Sequence, residues 1–181
     1  MIRFLFIYYC ILIYRVIRFL SMIPITGDTN FLSTPISTIR RLLNRPLVKG
    51  YTTFVDIGCG EGIIGFFVRL VGRKSVILHD LQQHYVVFIN VLKRLFFIRR
   101  VMCSRNVLSE YPADSVFYCV WTSWSFENRQ SVISKLTSMI PKGAILITVT
   151  HSLQHPAFHE FDKIVESFAW GRAKVYYYKH A

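Results

Sequence analysis

Phe54-Val55-Asp56-Ile57-Gly58-Cys59-Gly60-Glu61-Gly62 decides the reading of this 181-residue chain. An apolar run ends in a loop with glycine at every second position, and a helical pattern follows. Glycines let a backbone take φ > 0 and approach a ligand closely. The helix N-terminus beyond them offers free N–H groups and the positive end of its dipole. Gly60-Glu61-Gly62-Ile63-Ile64-Gly65 is also a literal G-x-G-x-x-G, which on its own points to a dinucleotide. Two carboxylates tilt against that reading. Asp56 sits at the strand end and Glu61 inside the loop, where both would repel a pyrophosphate and tolerate a cationic ligand.

Around this segment strands and helices alternate. The pattern predicts a helix over Ser37–Leu47, then strands at Thr52–Ile57, Ser75–Leu78, Val101–Ser104, Ser115–Trp121 and Ala144–Val149. Helices fall between them at Gly62–Leu70, His84–Phe97 and Glu127–Ile140, the last ended by Pro141-Lys142-Gly143. Strict alternation with short joins means a parallel sheet covered on both faces. The tail breaks the alternation. Phe161–Ala169 and Lys174–Lys179 are β-prone runs joined at Trp170-Gly171-Arg172, an antiparallel hairpin closing the sheet edge. The expected class is α/β, a doubly wound sheet of five parallel strands closed by that hairpin and preceded by an N-terminal hydrophobic helix. Three regions follow: 1–24, 25–50 as linker and lead-in helix, and 51–181 as the main domain. The linker centres on Thr26-Gly27-Asp28-Thr29-Asn30.

The second predicted strand ends in His79-Asp80. A carboxylate there can accept hydrogen bonds from both hydroxyls of a ribose, or it can cap the next helix. Asn106, after the third strand, is placed to touch an adenine edge or is a plain loop residue.

Phe4 to Tyr14 is an uninterrupted apolar run, with Arg3, Arg15 and Arg18 around it. A spanning helix wants about 20 mostly apolar residues, so this is a marginal span. No small-residue cleavage site follows. A helical wheel gathers Arg3, Tyr14, Arg15, Arg18 and Ser21 on one side, and Leu5, Phe6, Tyr9, Leu12, Val16, Phe19, Leu20 and Ile23 on the other. That fits a membrane anchor over residues 1–24, lying in the interface or spanning it with snorkelling arginines. The positive flank would keep the rest of the chain on the cytoplasmic side. The remaining option is a helix packed on the domain itself.

The chain carries 22 Lys/Arg against 10 Asp/Glu, a formal net charge of +12. Such a balance favours anionic partners, either lipid head groups or nucleic acid. With 52% hydrophobic residues, disorder is excluded. Cys10, Cys59, Cys103 and Cys119 form no C-x-x-C pair and read as buried thiols in a reducing compartment.

Val55-Asp56-Ile57-Gly58-Cys59-Gly60-Glu61-Gly62 resembles the first motif of the seven-β-strand, S-adenosylmethionine-dependent methyltransferases, a Rossmann-like fold. Asp80 is similar to their ribose-binding acid. The alternating order and the final hairpin match over about residues 33–181. Phe31-Leu32-Ser33-Thr34-Pro35 resembles a segment that lies over the cofactor in small protein-lysine methyltransferases of the archaeal and mitochondrial membrane-anchored type. Val120-Trp121-Thr122-Ser123-Trp124-Ser125-Phe126 through Arg129 also resembles that group. Ser33 and Asp80 stand where the group has Pro and Glu. The resemblance implies S-adenosylmethionine as cofactor, held by Thr34, Asp56, Gly58, Cys59, Gly60, Glu61, Gly62, Asp80, Leu81 and Asn106. It implies a protein substrate, with lysine as acceptor.

Methyl transfer from a sulfonium asks the protein to align the acceptor and exclude water, without a protein nucleophile or a metal. Trp121, Thr122 and Trp124 follow the fourth strand and are the candidate catalytic residues. Aromatic faces there could hold a cationic amine, or simply pack under the loop. No Asp/Asn-Pro-Pro-aromatic motif follows that strand. His151, His155 and His159 recur every fourth residue, but Pro156 interrupts any helix and no metal site is expected. A catalytically silent, membrane-bound interaction module is one alternative, and two more stay open. One is an RNA methyltransferase using Lys93, Arg94, Arg99, Arg100 and Arg105 on phosphates. The other is a nicotinamide-dinucleotide-binding oxidoreductase.

Overall fold

The computed structural model describes residues 1–20, 34–121 and 125–181. In chain order it contains α1 (Ile2–Leu20), α2 (Ile36–Leu43), α3 (Pro46–Lys49), β1 (Thr53–Ile57), α4 (Ile63–Leu70), β2 (Ser75–His79) and α5 (Gln83–Leu95). Then come β3 (Val101–Ser104), β4 (Ser115–Val120), α6 (Phe126–Met139), β5 (Ile145–Val149), β6 (Phe158–Phe168) and β7 (Gly171–His180). The strands form one sheet in the order β3-β2-β1-β4-β5-β7-β6. β1 pairs in parallel with both β2 and β4, and all five of its residues are buried. A continuous apolar run is what a parallel strand covered on both faces requires. The chain leaves β1 toward β2 and returns on the other side as β4, so a cleft opens at the carboxyl ends of β1 and β4.

β7 is inserted antiparallel between β5 and β6, pairing Ile145 with Lys179 and Val149 with Val175. The expected class, five parallel strands plus a terminal hairpin, is the observed one. Several boundaries differ, β6 for instance starting at Phe158 and α5 ending at Leu95. The lead-in helix splits into α2 and α3, because Pro46 takes the first turn of α3, where its missing N–H does no harm. The hairpin also turns earlier, at Ala169-Trp170, with β7 starting at Gly171.

Two apolar layers flank the sheet. One holds Phe54, Phe66, Leu78, Ile89, Val116 and Ile147 with α2, α4 and α5. The other holds Val55, Ile57, Phe117, Leu146, Ile133 and Leu136 with α6. Gly65 marks how closely α4 approaches β2. A Cβ there would stand 2.5 Å from Leu78 Cδ2 and 3.0 Å from Val76 Cγ1. Gly65→Val is expected to overpack this contact and cost about 1–3 kcal/mol, read as a lower urea midpoint at unchanged slope.

α1 corrects the sequence reading. Its Phe4, Ile7 and Ile11 are buried in the same core as α4, and Phe4 meets Phe67 edge-on with centroids 5.5 Å apart. Tyr14 stacks on Phe88 of α5 at 4.1 Å. No helix among the described residues is long and apolar enough to cross a membrane. The spanning anchor is therefore replaced by a helix that is part of the domain. Tyr14 and Arg15, which the wheel groups with Arg3 and Arg18 on the polar side, face the protein, while Leu5, Phe6, Tyr9 and Val16 stay exposed. A helix apolar all round allows this: one stripe enters the core and the opposite one remains outside. The linker Thr26-Gly27-Asp28-Thr29-Asn30 lies outside the described residues.

Candidate functional site

The loop after β1 carries three residues in the left-handed region, Gly58 (φ 82°), Gly60 (φ 54°) and Gly62 (φ 75°). That conformation is open to glycine at little cost, so alternate glycines at these three positions are a backbone requirement. The loop is fastened to β2. Gly58 and Cys59 donate N–H bonds to the His79 carbonyl at 2.8 and 3.0 Å. Gly60 donates to Asp80 Oδ2 at 2.8 Å.

Asp80 thus braces the glycine loop, and through Oδ1 it also accepts from Gln82 N–H at 2.9 Å, the entry to α5. Burial pushes its carboxyl up, and the Gln82 and Gly60 N–H bonds oppose that. The N-cap of α5 is Gln82, with no side-chain cap bond, so Asp80 ties down the residue that enters the helix and is not itself the cap. Each oxygen keeps a further lone pair for a ligand hydroxyl. Leu81, 78% exposed, forms an apolar ledge beside it. Asn106 is exposed in the turn after β3, where its N–H bonds Ser104 Oγ at 3.1 Å.

Asp56 is the most unusual group. It is buried at the end of β1, and its Oδ2 has no hydrogen-bond partner. Burial, with the nearby Asp80 carboxylate adding to it, pushes Asp56 up to about 8. On the same side of the sheet Thr34 Oγ1 and the Tyr118 hydroxyl share a 2.7 Å hydrogen bond, both buried. Burial also pushes the Tyr118 phenol up. Thr34 was a candidate from the sequence. Tyr118 was not, although its hydroxyl, with only apolar side chains and a thiol around it in Val116–Val120, was a usable signal.

Glu61 has a partner within the protein. Its buried carboxylate does not stand open to a ligand but is gripped by Arg15 of α1, with Arg15 Nε 3.0 Å from Oε1 and 2.8 Å from Oε2, and Nη2 2.5 Å from Oε2. This bidentate pair ties the N-terminal helix to the glycine loop. Cys59 is buried in the loop with Sγ 3.8 Å from the Gly60 carbonyl, and its thiol is pushed up by its hydrogen bond with Cys103 and by burial.

On the other side of the sheet His79 Nε2 lies 3.0 Å from the Tyr111 hydroxyl, and burial lowers the imidazole's affinity for a proton. Trp121 is fully buried and donates its indole N–H to the His151 carbonyl at 3.1 Å. It belongs to the apolar layer on the α6 side, where its ring is enclosed among the described residues. Thr122 and Trp124 lie outside the described residues, as do Phe31, Leu32 and Ser33. His151 and His155 fall in the connection after β5 and His159 on β6, so they share no helix face. Among the described residues no group of three His, Cys, Asp or Glu side chains is placed to hold a metal ion.

No protein-family model matches this sequence, and no curated protein matches it. Solved structures do match its fold. An RNA methyltransferase from Salinibacter ruber in complex with S-adenosyl-L-homocysteine superposes with a TM-score of 0.60 at 15% identity, covering 82% of this chain and 94% of that one. A SAM-dependent methyltransferase from Aquifex aeolicus gives 0.52 at 13%, covering 81% and 100%. TrmN from Thermus thermophilus gives 0.57 at 13%, covering 81% of this chain, which spans about half (48%) of that one. The chain has the seven-stranded α/β fold of the S-adenosylmethionine-dependent methyltransferases.

Proposed function

We propose that this chain is an S-adenosylmethionine-dependent methyltransferase. The observation that carries the reading is Asp56, a buried carboxylate with an unpartnered oxygen at the end of the central strand, beside three left-handed glycines. A buried carboxylate without a partner is costly, and a ligand ammonium removes the cost. A dinucleotide pyrophosphate would meet the Asp80 carboxylate there and could not use Asp56 as an anion, whereas an ammonium can.

S-Adenosylmethionine supplies a methyl group already activated by a sulfonium. In this reading Asp56 holds the ammonium of its amino-acid part, and the loop N–H groups at the start of α4 face the carboxylate. Asp80 accepts from the ribose hydroxyls, and Leu81 and Asn106 flank the base. Thr34 and Tyr118 close the cleft on the α2 side and keep water from the Asp56 carboxylate.

For the acceptor the reading is a protein lysine. Its support is the resemblance of the Thr34-Pro35 segment, together with the burial of Thr34 beside Tyr118 near Asp56. A second reading, RNA, has its own support. An RNA methyltransferase shares the fold, and exposed Arg105 follows the carboxyl end of β3, on the cleft's side of the sheet. Arg99 and Arg100 precede β3 and lie at the sheet's other end, away from the acceptor.

Calorimetry with S-adenosylmethionine and with NADH separates the cofactor classes; binding of NADH alone would overturn the reading. Asp80→Ala is expected to weaken S-adenosylmethionine binding by about 1.5–3 kcal/mol, the range for lost hydrogen bonds to a charged group. Transfer of labelled methyl in a lysate then identifies the acceptor. A protease-sensitive, nuclease-resistant product supports lysine, and the reverse supports RNA.

A further inference from the structure

The outer side of α1, α4 and α5 combines exposed apolar side chains with basic charge and carries no acid. α1 exposes Ile2, Leu5, Phe6, Tyr9, Ile13 and Val16. α5 exposes Val87, Val91 and Leu95, four residues apart and so in one stripe. The two sets adjoin, because Tyr14 stacks on Phe88, and Val91 and Leu95 lie three and seven residues further along that side of α5.

The surface has a pronounced end. Phe4 packs on Phe67 near the carboxyl end of α4, while Arg15 reaches Glu61 before its amino end, so α1 runs antiparallel to α4. Arg69 of α4 donates to the Arg99 carbonyl at 2.8 Å, bringing the α4 and α5 carboxyl ends together. The amino end of α1 therefore meets the segments 71–74 and 96–100. Exposed Ile2, Val71 and Phe97 (85% exposed) stand there beside exposed Arg3, Arg73, Arg94, Arg99 and Arg100. Arg73, Phe97 and Arg100 hold positive φ of 58°, 51° and 59°. That region is disfavoured for a residue with a Cβ. Residues 62–79 and 81–109, with α1, contain no Asp or Glu.

We propose that this surface docks on an anionic lipid bilayer, with Phe97, Ile2, Val71 and the outer face of α1 entering the headgroup boundary and the surrounding arginines on lipid phosphates. Apolar side chains ringed by cations match the two components of interfacial binding, burial of apolar area and attraction to anionic headgroups. A monomer in water gains nothing from a contiguous apolar face of this kind. Exposed Asp114 lies close enough to Lys74 to act on its charge at the margin of this end, but it is outnumbered by Arg3, Arg73, Arg94, Arg99 and Arg100, so the charge complementarity is toward an anionic partner. The opposite end of the sheet, where Asp56 and Asp80 lie, faces away from the bilayer in this orientation. The proposal stands independently of the methyltransferase reading.

The test is flotation of the full chain with vesicles of phosphatidylcholine alone and of phosphatidylcholine mixed with phosphatidylglycerol. Binding is expected to the anionic vesicles, to fall with salt because exposed charges are screened, and to be much weaker on neutral ones. Phe97→Asn is the diagnostic variant, since Asn tolerates positive φ and the change relieves strain while removing the apolar tip. It is expected to keep or raise the melting temperature and to weaken vesicle binding by about tenfold. Arg73→Gln, Arg99→Gln and Arg100→Gln together are expected to weaken anionic-vesicle binding by about a hundredfold. Equal binding to both vesicle types, or none to either, overturns the proposal. So does a dimer in light scattering that Phe97→Asn dissolves, which would make the surface a self-interface. Binding of an RNA oligonucleotide that anionic vesicles do not displace, and that these variants abolish, overturns it in favour of nucleic acid.

Discussion

A chain lacking residues 1–20 is expected to lose its cooperative unfolding transition rather than emerge as a tidy soluble domain. Three side chains of α1, Phe4, Ile7 and Ile11, are buried, the last two completely. Each contributes about 1.5–3 kcal/mol by burial. Deletion also uncovers the apolar side of α4 and leaves the Glu61 carboxylate, 4% exposed at its side chain, without Arg15. Breaking a buried pair by removing one partner costs about 3–5 kcal/mol, and the 34% exposure of the Arg15 side chain places this one at or below the lower end. The sum is comparable with the whole stability of a typical domain, about 5–15 kcal/mol. Ile7→Ala tests the same claim without the risk of collapse. It is expected to lower stability by about 2–5 kcal/mol in urea at unchanged slope. A truncated chain that stays monomeric, with the urea midpoint of the full chain, would show that α1 is an appendage. Arg15→Gln adds a second reading of the same helix. If the ion pair positions the glycine loop, cofactor affinity falls in this variant while Ile7→Ala, at matched stability, leaves it nearly intact.

The parts of this molecule that were legible in sequence are those with short-range causes. The run Phe54–Ile57 could only be a strand covered on both sides, and the alternate glycines could only be a left-handed loop, so the centre of the sheet followed directly. The positions of Asp56 at the end of β1 and of Asp80 just after β2 were legible because each closes an apolar run. What escaped depended on distance along the chain. Arg15 lies 46 residues from Glu61 and Thr34 lies 84 from Tyr118, and no periodicity reports such pairs. The wheel of α1 failed for a related reason. A helix apolar around its circumference has no unique inward face, and the arginines marked the solvent side only on the assumption that none was buried against an acid. Trp121 shows the limit at close range. An aromatic after a strand either lines a pocket or packs under the next loop, and only the position of the His151 carbonyl decides.

Binding of S-adenosylmethionine is expected to strengthen as pH rises from 6 toward 8. Asp56 is held up to about 8, chiefly by burial and then by the Asp80 carboxylate, so at pH 7 the unliganded protein keeps a proton on it. A ligand ammonium needs the carboxylate, so binding releases that proton. Affinity should therefore improve by about tenfold per pH unit below about 8 and level off near it. Calorimetry in two buffers of different ionisation enthalpy should count about one proton released at pH 7. The unliganded protein should show the opposite slope in stability. Between about 4 and about 8 the folded state holds a proton that the unfolded state, with an ordinary aspartate near 3.9, has already lost. The folded state then binds more protons, and stability falls as pH rises through that window. Asp56→Asn has no proton to lose. It is expected to remove Asp56's contribution to both slopes and to weaken the cofactor by more than tenfold at pH 8, where the wild-type carboxylate is available. A wild-type affinity independent of pH from 6 to 8 would show that Asp56 does not meet a cation. An Asp56→Asn variant that binds S-adenosylmethionine as tightly as wild type at pH 8 would move the ammonium site elsewhere and remove the observation on which the functional reading rests.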